Sequence, residues 1–407
     1  MIIKIITTLL TTIISIKAID AISNIKHGIK NICFVVDQYG KTTNGCISFT
    51  KEWTKELIKR GYNISIICGN GISEYGEKVF EMGSKKRGII NREAKKQGMA
   101  FAEINKSKVK EALENIDVVH FITQFDLSKY VKDYCDKNSI TTTVTFPTLP
   151  HNVAYARKVP CKSIITSITN RIWKKFYDKF KHCNSTSKLV DKYLKEKQYK
   201  STLHMFYNGI SYDFQKKNIV KPNEYAGKFV IITVGRLSNE KKQDLIIKAV
   251  NNSKYKNKIK LIIAGNGPNE KTLRKLAKKY KIDCEFNFYN REELINVLNI
   301  CDVYIHAADI EAMGMSCIEA ICCGVTPIIN NSELSGATEF ALSDKNLFKY
   351  NDYKDLTKKI DYFIENKDEL ESYSKEYISI SSEYRIDKTV DNLLEMMNTA
   401  YKEDHNK

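Results

Sequence analysis

Two acids bracket a glycine in the stretch EAMGMSCIEAICCG, which runs from Glu311 to Gly324. The apolar run DVYIHAA before it reads as a strand, and a helix is expected from about Ser316. The amides of Gly314, Met315 and Ser316 then lie at a helix start, where N–H groups lack intrahelical acceptors and the dipole is positive. Such a turn suits an anion or sugar hydroxyls. Glu319 falls in the first helical turn, facing the same crevice as a hydroxyl acceptor. Taken singly, Glu319 also reads as stabilising its own helix dipole, and Glu311 as a solvated loop acid.

Three other loops carry comparable chemistry. In VGRLSNEKKQ a strand ends at Gly235, and Arg236 and Lys241 follow within one loop. A forked guanidinium and a point ammonium converging after a strand make a diphosphate clamp, although basic loop residues in a lysine-rich chain are commonly solvated surface. In AGNGP (264–268), Gly267 and its neighbours either let backbone approach a ligand or make a tight turn. The motif is neither GxGxxG nor a P-loop, so dinucleotide or phosphoryl-transfer chemistry is poorly supported. In QYGKTTNGCISF, Asn44-Gly45 before a helix gives a flexible loop whose amides face a phosphate or an acceptor, or an ordinary turn.

The elements that must hold these loops alternate between strand and helix. ICFVV (32–36), NISII (63–67), DVVHF (117–121) and TTTVTF (141–146) read as buried strands. Between the first two, Trp53, Leu57 and Ile58 recur at helical spacing and Gly61 closes the helix. A second series runs through KFVIITVGRLS, KIKLIIAGNGP, DVYIHAAD and GVTPIINN. The rhythm implies an α/β fold of two doubly wound halves, each a parallel sheet covered on both faces. Ligands in such sheets bind outside the carboxyl ends of strands, where all four loops fall. The expected divisions are an apolar and basic leader (1–30), an N-terminal domain (31–207), a linker (208–228), a C-terminal domain (229–378), and closing helices with a polar tail (379–407).

A chain of 407 residues, 43% hydrophobic, is globular and long enough for two domains. Its net charge of +17, partly a compositional excess of lysine, favours anionic partners. The eleven cysteines form no CxxC pair, which argues against disulfide frameworks and zinc sites and for a reducing cytosol. The adjacent Cys322 and Cys323 read as packing. The leader, apolar from Met1 to Ile16, is shorter than the ~20 residues of a spanning helix. It reads as a helix lying in the cytosolic membrane face, a signal peptide, or a dispensable extension.

Together GRLSNEKK, AGNGP, E-x7-E with a glycine inside and CCGVTPII resemble the nucleotide-sugar domain of family 4 retaining glycosyltransferases. The N-terminal half resembles that family more loosely, through the loop after its first strand and RGYNIS, so that coverage runs from Asn31 to Ile378. The resemblance implies the GT-B fold: two Rossmann-like domains facing a cleft, with the last helix returning to the first domain. It implies that Arg236 and Lys241 clamp the donor diphosphate, Glu319 holds the donor ribose and Glu311 touches the transferred sugar. Gly314 and Met315 match backbone amides near sugar and phosphate, with Ser316 beside them. Gly235 and Gly267 belong to the donor-side loops, and Gly45 to the flexible acceptor-side loop. No metal or other cofactor is implied. Where many relatives place a histidine after the fourth strand, this chain reads TFPTLPHN, with Pro147 at the nearest match and His151 four residues on. Either His151 takes that role, or the site works without it and His151 is structural.

GMSCIEA with NNSELSGATEFAL is most similar to the branch of the family that includes diacylglycerol glucosyltransferases. That resemblance implies a UDP-sugar donor, a lipid or lipid-linked acceptor and a peripheral place on the inner face of the cell membrane. The alternatives are a transferase of cell-surface polysaccharide and a non-catalytic GT-B-shaped binding protein. In RIWKKFYDKFKHC (171–183), Trp173, Phe176, Tyr177 and Phe180 share a face opposite lysines, which reads as a membrane-surface helix or an ordinary core-packing one. From Arg157 to Lys200 thirteen Lys and Arg stand against three acids, a band that would attract anionic lipid. No recognisable nucleic-acid module accompanies the charge.

Overall fold

A computed structural model describes residues 28–40, 44–85, 100–155 and 161–405. The leader up to residue 27, expected as a membrane-face helix, a signal peptide or an extension, lies outside the described residues, as do Lys41–Thr43 of the loop before Gly45. The apolar runs form the centres of two parallel sheets. In the first, β1 (Asn31–Val35), β2 (Asn63–Cys68), β3 (Lys78–Glu81), β4 (Val118–Phe121), β5 (Thr141–Phe146), β6 (His182–Ser185) and β7 (Thr202–Met205) lie in the order β3-β2-β1-β4-β5-β6-β7. In the second, β8 (Phe229–Val234), β9 (Ile259–Ala264), β10 (Cys284–Asn287), β11 (Val303–His306), β12 (Thr326–Asn330) and β13 (Leu347–Phe348) lie in the order β10-β9-β8-β11-β12-β13. Strand order reverses between β1 and β4 in one sheet and between β8 and β11 in the other. Each reversal opens a crevice beyond the strand ends.

Helices cover both faces, as two fully buried strand faces require. Helix α1 (Gly45–Lys59) buries Phe49, Trp53 and Leu57 on one face of the first sheet. The other face carries α2 (Lys106–Ala112), α3 (Asp126–Lys137), α4 (Pro150–Tyr155), α5 (Lys162–Tyr177) and α6 (Lys188–Glu196), with α2, α3, α5 and α6 supplying buried core residues. In the second half, α7 (Gln243–Asn252), α8 (Glu270–Lys279) and α11 (Tyr353–Glu365) pack on one face. On the other lie α9 (Arg291–Ile300), α10 (Met315–Cys322) and α12 (Lys367–Ile380). The last helix, α13 (Ile386–His405), returns to the first sheet and buries Val390, Leu393, Met396 and Met397 beside α1. Arg385 fixes this crossing by donating to the carbonyls of Phe214 at 2.7 Å and Ser211 at 3.3 Å. Two Rossmann-like domains of GT-B type result.

Of the two readings of 171–183, core packing holds, and the C-terminal boundary needs correction. The aromatic face of 171–183 does not meet a membrane: Trp173, Phe176, Tyr177 and Phe180 are all buried in the core against Phe121 and Phe146. Aromatic rings bury more area than any other side chains, so they win the inward position. The helix ends at Tyr177, which leaves Phe180 in the turn beyond it. A helix from Lys367 to Ile380 spans the boundary expected at 379, and the chain is helical through His405 where a polar tail was expected. Among the described residues no helix is long and apolar enough to cross a membrane.

Candidate active site

The β8–β11 crevice gathers the sequence-derived donor residues. After β8, Gly235 takes φ 150°, and its amide donates to the Ala264 carbonyl at 2.9 Å. The AGNGP turn folds against it: Leu237 N–H donates to Asn266 at 2.9 Å, and Asn269 N–H to Leu237 at 2.9 Å. A Cβ on Gly267, at φ 157°, would stand 2.5 Å from the Leu237 carbonyl oxygen, so no side chain fits. The exposed Arg236 has its carbonyl pinned by Gln243 Nε2 at 2.9 Å. Lys241 lies in a short turn, Asn239–Lys241, and its ammonium is ion-paired with Glu311.

Glu311 is held from its backbone. Its N–H donates to Leu334 at 3.0 Å, and its carbonyl accepts from Gly336 at 2.8 Å. Burial pushes its carboxyl up, but Lys241, His306 and Arg236 together outweigh this and leave it below the usual value. It is therefore a carboxylate at neutral pH. His306 closes the group at 4.0 Å from Glu311, with Nδ1 on the Tyr304 hydroxyl at 3.2 Å. Burial lowers its pKa to about 4, so the ring is neutral, and its buried Nε2 has no hydrogen-bond partner.

Gly314, at φ 97°, turns the chain into α10, which begins at Met315. The Ser316 hydroxyl is tied to Tyr304 at 2.8 Å and donates to the Val234 carbonyl at 3.2 Å, which fastens α10 to the end of β8. Glu319 is the fifth residue of the helix, in its second turn rather than its first. Burial raises its carboxyl to about 7; Arg291 acts to lower it and Glu52 to raise it. Those two belong to opposite domains and pair with each other at 2.6 Å.

The N-terminal domain faces this site. Gly45 is the first residue of α1, capped by Asn44 accepting from Ile47 N–H at 3.0 Å, and not a loop residue. A Cβ there would meet nothing within 4 Å. Met315 packs against the α1 cluster, and Ser187 Oγ donates to the Ala312 carbonyl at 2.5 Å, so the walls touch. His151 stands on α4, which packs against the Asn239–Lys241 turn. Its ring lies edge-on to Tyr193 at 5.7 Å, with Nδ1 buried and unpartnered. Burial and Lys197 hold its pKa below the ordinary value.

Three features escaped sequence reading. His306 reads as one more residue of an apolar strand, although its place at the strand end was a usable signal. The Glu52–Arg291 pair joins residues far apart in sequence and has no local signature. At the β1–β4 reversal, the buried Asp37 accepts from Ala102 N–H at 2.9 Å and Thr123 Oγ1 at 2.7 Å, and burial raises its carboxyl to about 6. Among the described residues, no group of three or more His, Cys, Asp or Glu is arranged to hold a metal ion.

Residues 214–380 match the family model of glycosyl transferases group 1, a span that contains the whole β8–β11 crevice. Residues 214–380 form a domain of this glycosyltransferase family. The transferase is 24% identical to the alpha-monoglucosyldiacylglycerol synthase of Acholeplasma laidlawii over 279 residues, 64% of this chain and 69% of the relative. Among solved structures, Anabaena HepE in complex with UDP and glucose matches with a TM-score of 0.70 at 14% identity, over 91% of this chain and all of that one. A 46% identical stretch spans 38% of this chain and 98% of the catalytic domain of the Helicobacter pylori cholesterol-alpha-glucosyltransferase, with a TM-score of 0.38. The GT-B arrangement agrees with HepE, and the transferase is an enzyme of hexosyl transfer.

Proposed function

We propose that the protein transfers a hexose, glucose on our reading, from a UDP-sugar to a membrane lipid or lipid-linked acceptor such as diacylglycerol, with retention and without a metal. The observation that carries the donor half is the Arg236–Lys241–Glu311 grouping at the β8–β11 reversal, beside the start of α10. Breaking the anomeric bond builds negative charge on the leaving diphosphate. Arg236, Lys241 and the first amides of α10 stabilise that charge in a site already walled by the facing domain. Lys241 waits on Glu311, so an arriving diphosphate shares its ammonium and leaves the carboxylate turned toward a sugar hydroxyl. Glu319 takes the ribose. Asp37 and Thr123 line the acceptor side.

The lipid acceptor is supported by the likeness to the diacylglycerol relative and by the basic α4–α6 region. The test is transfer of labelled glucose from UDP-glucose to vesicles containing diacylglycerol or a sterol, beside soluble glycans. Glycolipid product is expected, and robust transfer to soluble glycans alone refutes the acceptor assignment. Donor turnover unchanged in Arg236→Ala would refute the donor site.

A further inference from the structure

Helix α5 carries two apolar stripes, and only one is used by the core. Trp173, Phe176 and Tyr177 point inward, while Ile164, Ile168 and Ile172 are 57%, 55% and 51% exposed. Their spacing of four places them on one line along the outer face. Isoleucine that far from cover on three successive turns is unusual for a surface otherwise rich in lysine. Arg171 and Lys175 share this outer face, and both are exposed and without an ion pair among the described residues. From Lys162 to Tyr177 the helix contains four cations and no acid. Val153 on the adjoining α4 is also exposed.

We infer that the outer face of α5 docks on an anionic lipid bilayer, with Ile164, Ile168 and Ile172 entering the headgroup boundary and Arg171 and Lys175 meeting lipid phosphates. Three observations select this occupant. A helix with apolar residues flanked by cations and free of acids matches what lies flat in an anionic interface. A second copy would bring the same cations face to face. The helix is also continuous with the reaction site: it forms a hairpin with α4, which packs on the Lys241 turn, and Lys162 sits over the Tyr155 ring at 4.0 Å. Docking here holds the cleft mouth at the membrane, where a lipid hydroxyl emerges. The inference rests on the lipid-acceptor reading and adds the surface that delivers it.

Cys161, at the start of the same face, is the sole exposed cysteine among the described residues and accepts an environment-sensitive fluorophore under brief native labelling. The full-length labelled protein is mixed with phosphatidylcholine vesicles, with or without phosphatidylglycerol, in the absence of donor and of any acceptor. A blue shift and quenching by nitroxide-labelled acyl chains are expected with phosphatidylglycerol alone. Arg171→Gln or Lys175→Gln should each weaken this response about fivefold, the ratio for ~1 kcal/mol per surface cation. Ile164→Ser, Ile168→Ser and Ile172→Ser together should abolish it, while UDP-glucose still raises the thermal midpoint. A probe that stays in water while the protein floats with the vesicles overturns the inference. So does a wild-type dimer, seen by light scattering, that the triple serine variant dissociates. Because no transfer is read, docking without glycolipid synthesis would sink the lipid-acceptor function and leave the surface standing, and the reverse result would do the opposite.

Discussion

Replacing Glu319 by Gln should stabilise the protein and weaken its hold on donor, with the stability gain growing as pH rises from 4.5 and complete above about 7. The side chain lies half-buried on α10, and burial lifts its carboxyl from 4.5 to about 7. In the folded protein the proton is therefore held more tightly than in the unfolded chain. Between pH 4.5 and 7 the native state binds more protons than the unfolded one, so stability falls as pH rises through that window. Above it the full cost is present. The rise from 4.5 to about 7, at ~1.4 kcal/mol for each tenfold in proton affinity, sets an upper scale of about 3.5 kcal/mol. Glutamine keeps the shape and has no charge to desolvate. Urea unfolding of both proteins at pH 4.5 and pH 8 should give equal stabilities at the lower value. At the higher value Glu319→Gln should be favoured by roughly 1–3 kcal/mol, with other titrating groups such as Glu339 cancelling in the difference. Calorimetric titration with UDP-glucose should show weaker binding at pH 8, where a ribose hydroxyl loses its anionic acceptor, and little change at pH 4.5, where the folded Glu319 carboxyl is protonated. A variant that is less stable at pH 8, or a difference that ignores pH, would refute the assignment of Glu319 as a strained ligand-facing acid.

Other perturbations probe the same crevice. Lys241→Met should lower turnover by about 10²-fold or more, the scale of one preorganised charge donor, with quenched-flow kinetics separating this from donor binding. Gly267→Ala should cost about 1–3 kcal/mol in urea unfolding, since its Cβ would stand 2.5 Å from the Leu237 oxygen at φ 157°, whereas Gly45→Ala has open space and should be neutral or slightly stabilising. His151→Ala should reduce kcat far less than the about 10²-fold that a general base supplies, because its ring faces Tyr193; a larger loss would restore it as an acceptor-side group. Glu52→Ala should loosen the cleft by cutting the link of Arg291 to the N-terminal domain while its pair with Asp213 remains, and small-angle scattering should record a larger radius of gyration without donor.

What sequence disclosed and what it hid follow one physical line. Central strands such as Phe229–Val234 and Ile259–Ala264 are buried on both faces and must be continuous apolar runs, so they were readable. The edge strand Thr202–Met205 and its neighbour His182–Ser185 read TLHM and HCNS, with none of that signal. The proposed donor residues were legible because each lies in a loop or helix start that follows a readable strand. His306 was not, because its approach to Glu311 depends on how the loop after β11 folds back. The α5 helix is the sharper case. Its sequence carries an aromatic stripe and an isoleucine stripe together with cations, which marks an amphipathic surface element but not which stripe faces out. The choice is made by area: three rings fill the space against Phe121 and Phe146 that three isoleucines would leave partly empty. Core packing and the inferred docking therefore use opposite sides of one helix. The aliphatic side, on which the inferred docking rests, is exposed because the core takes the larger groups.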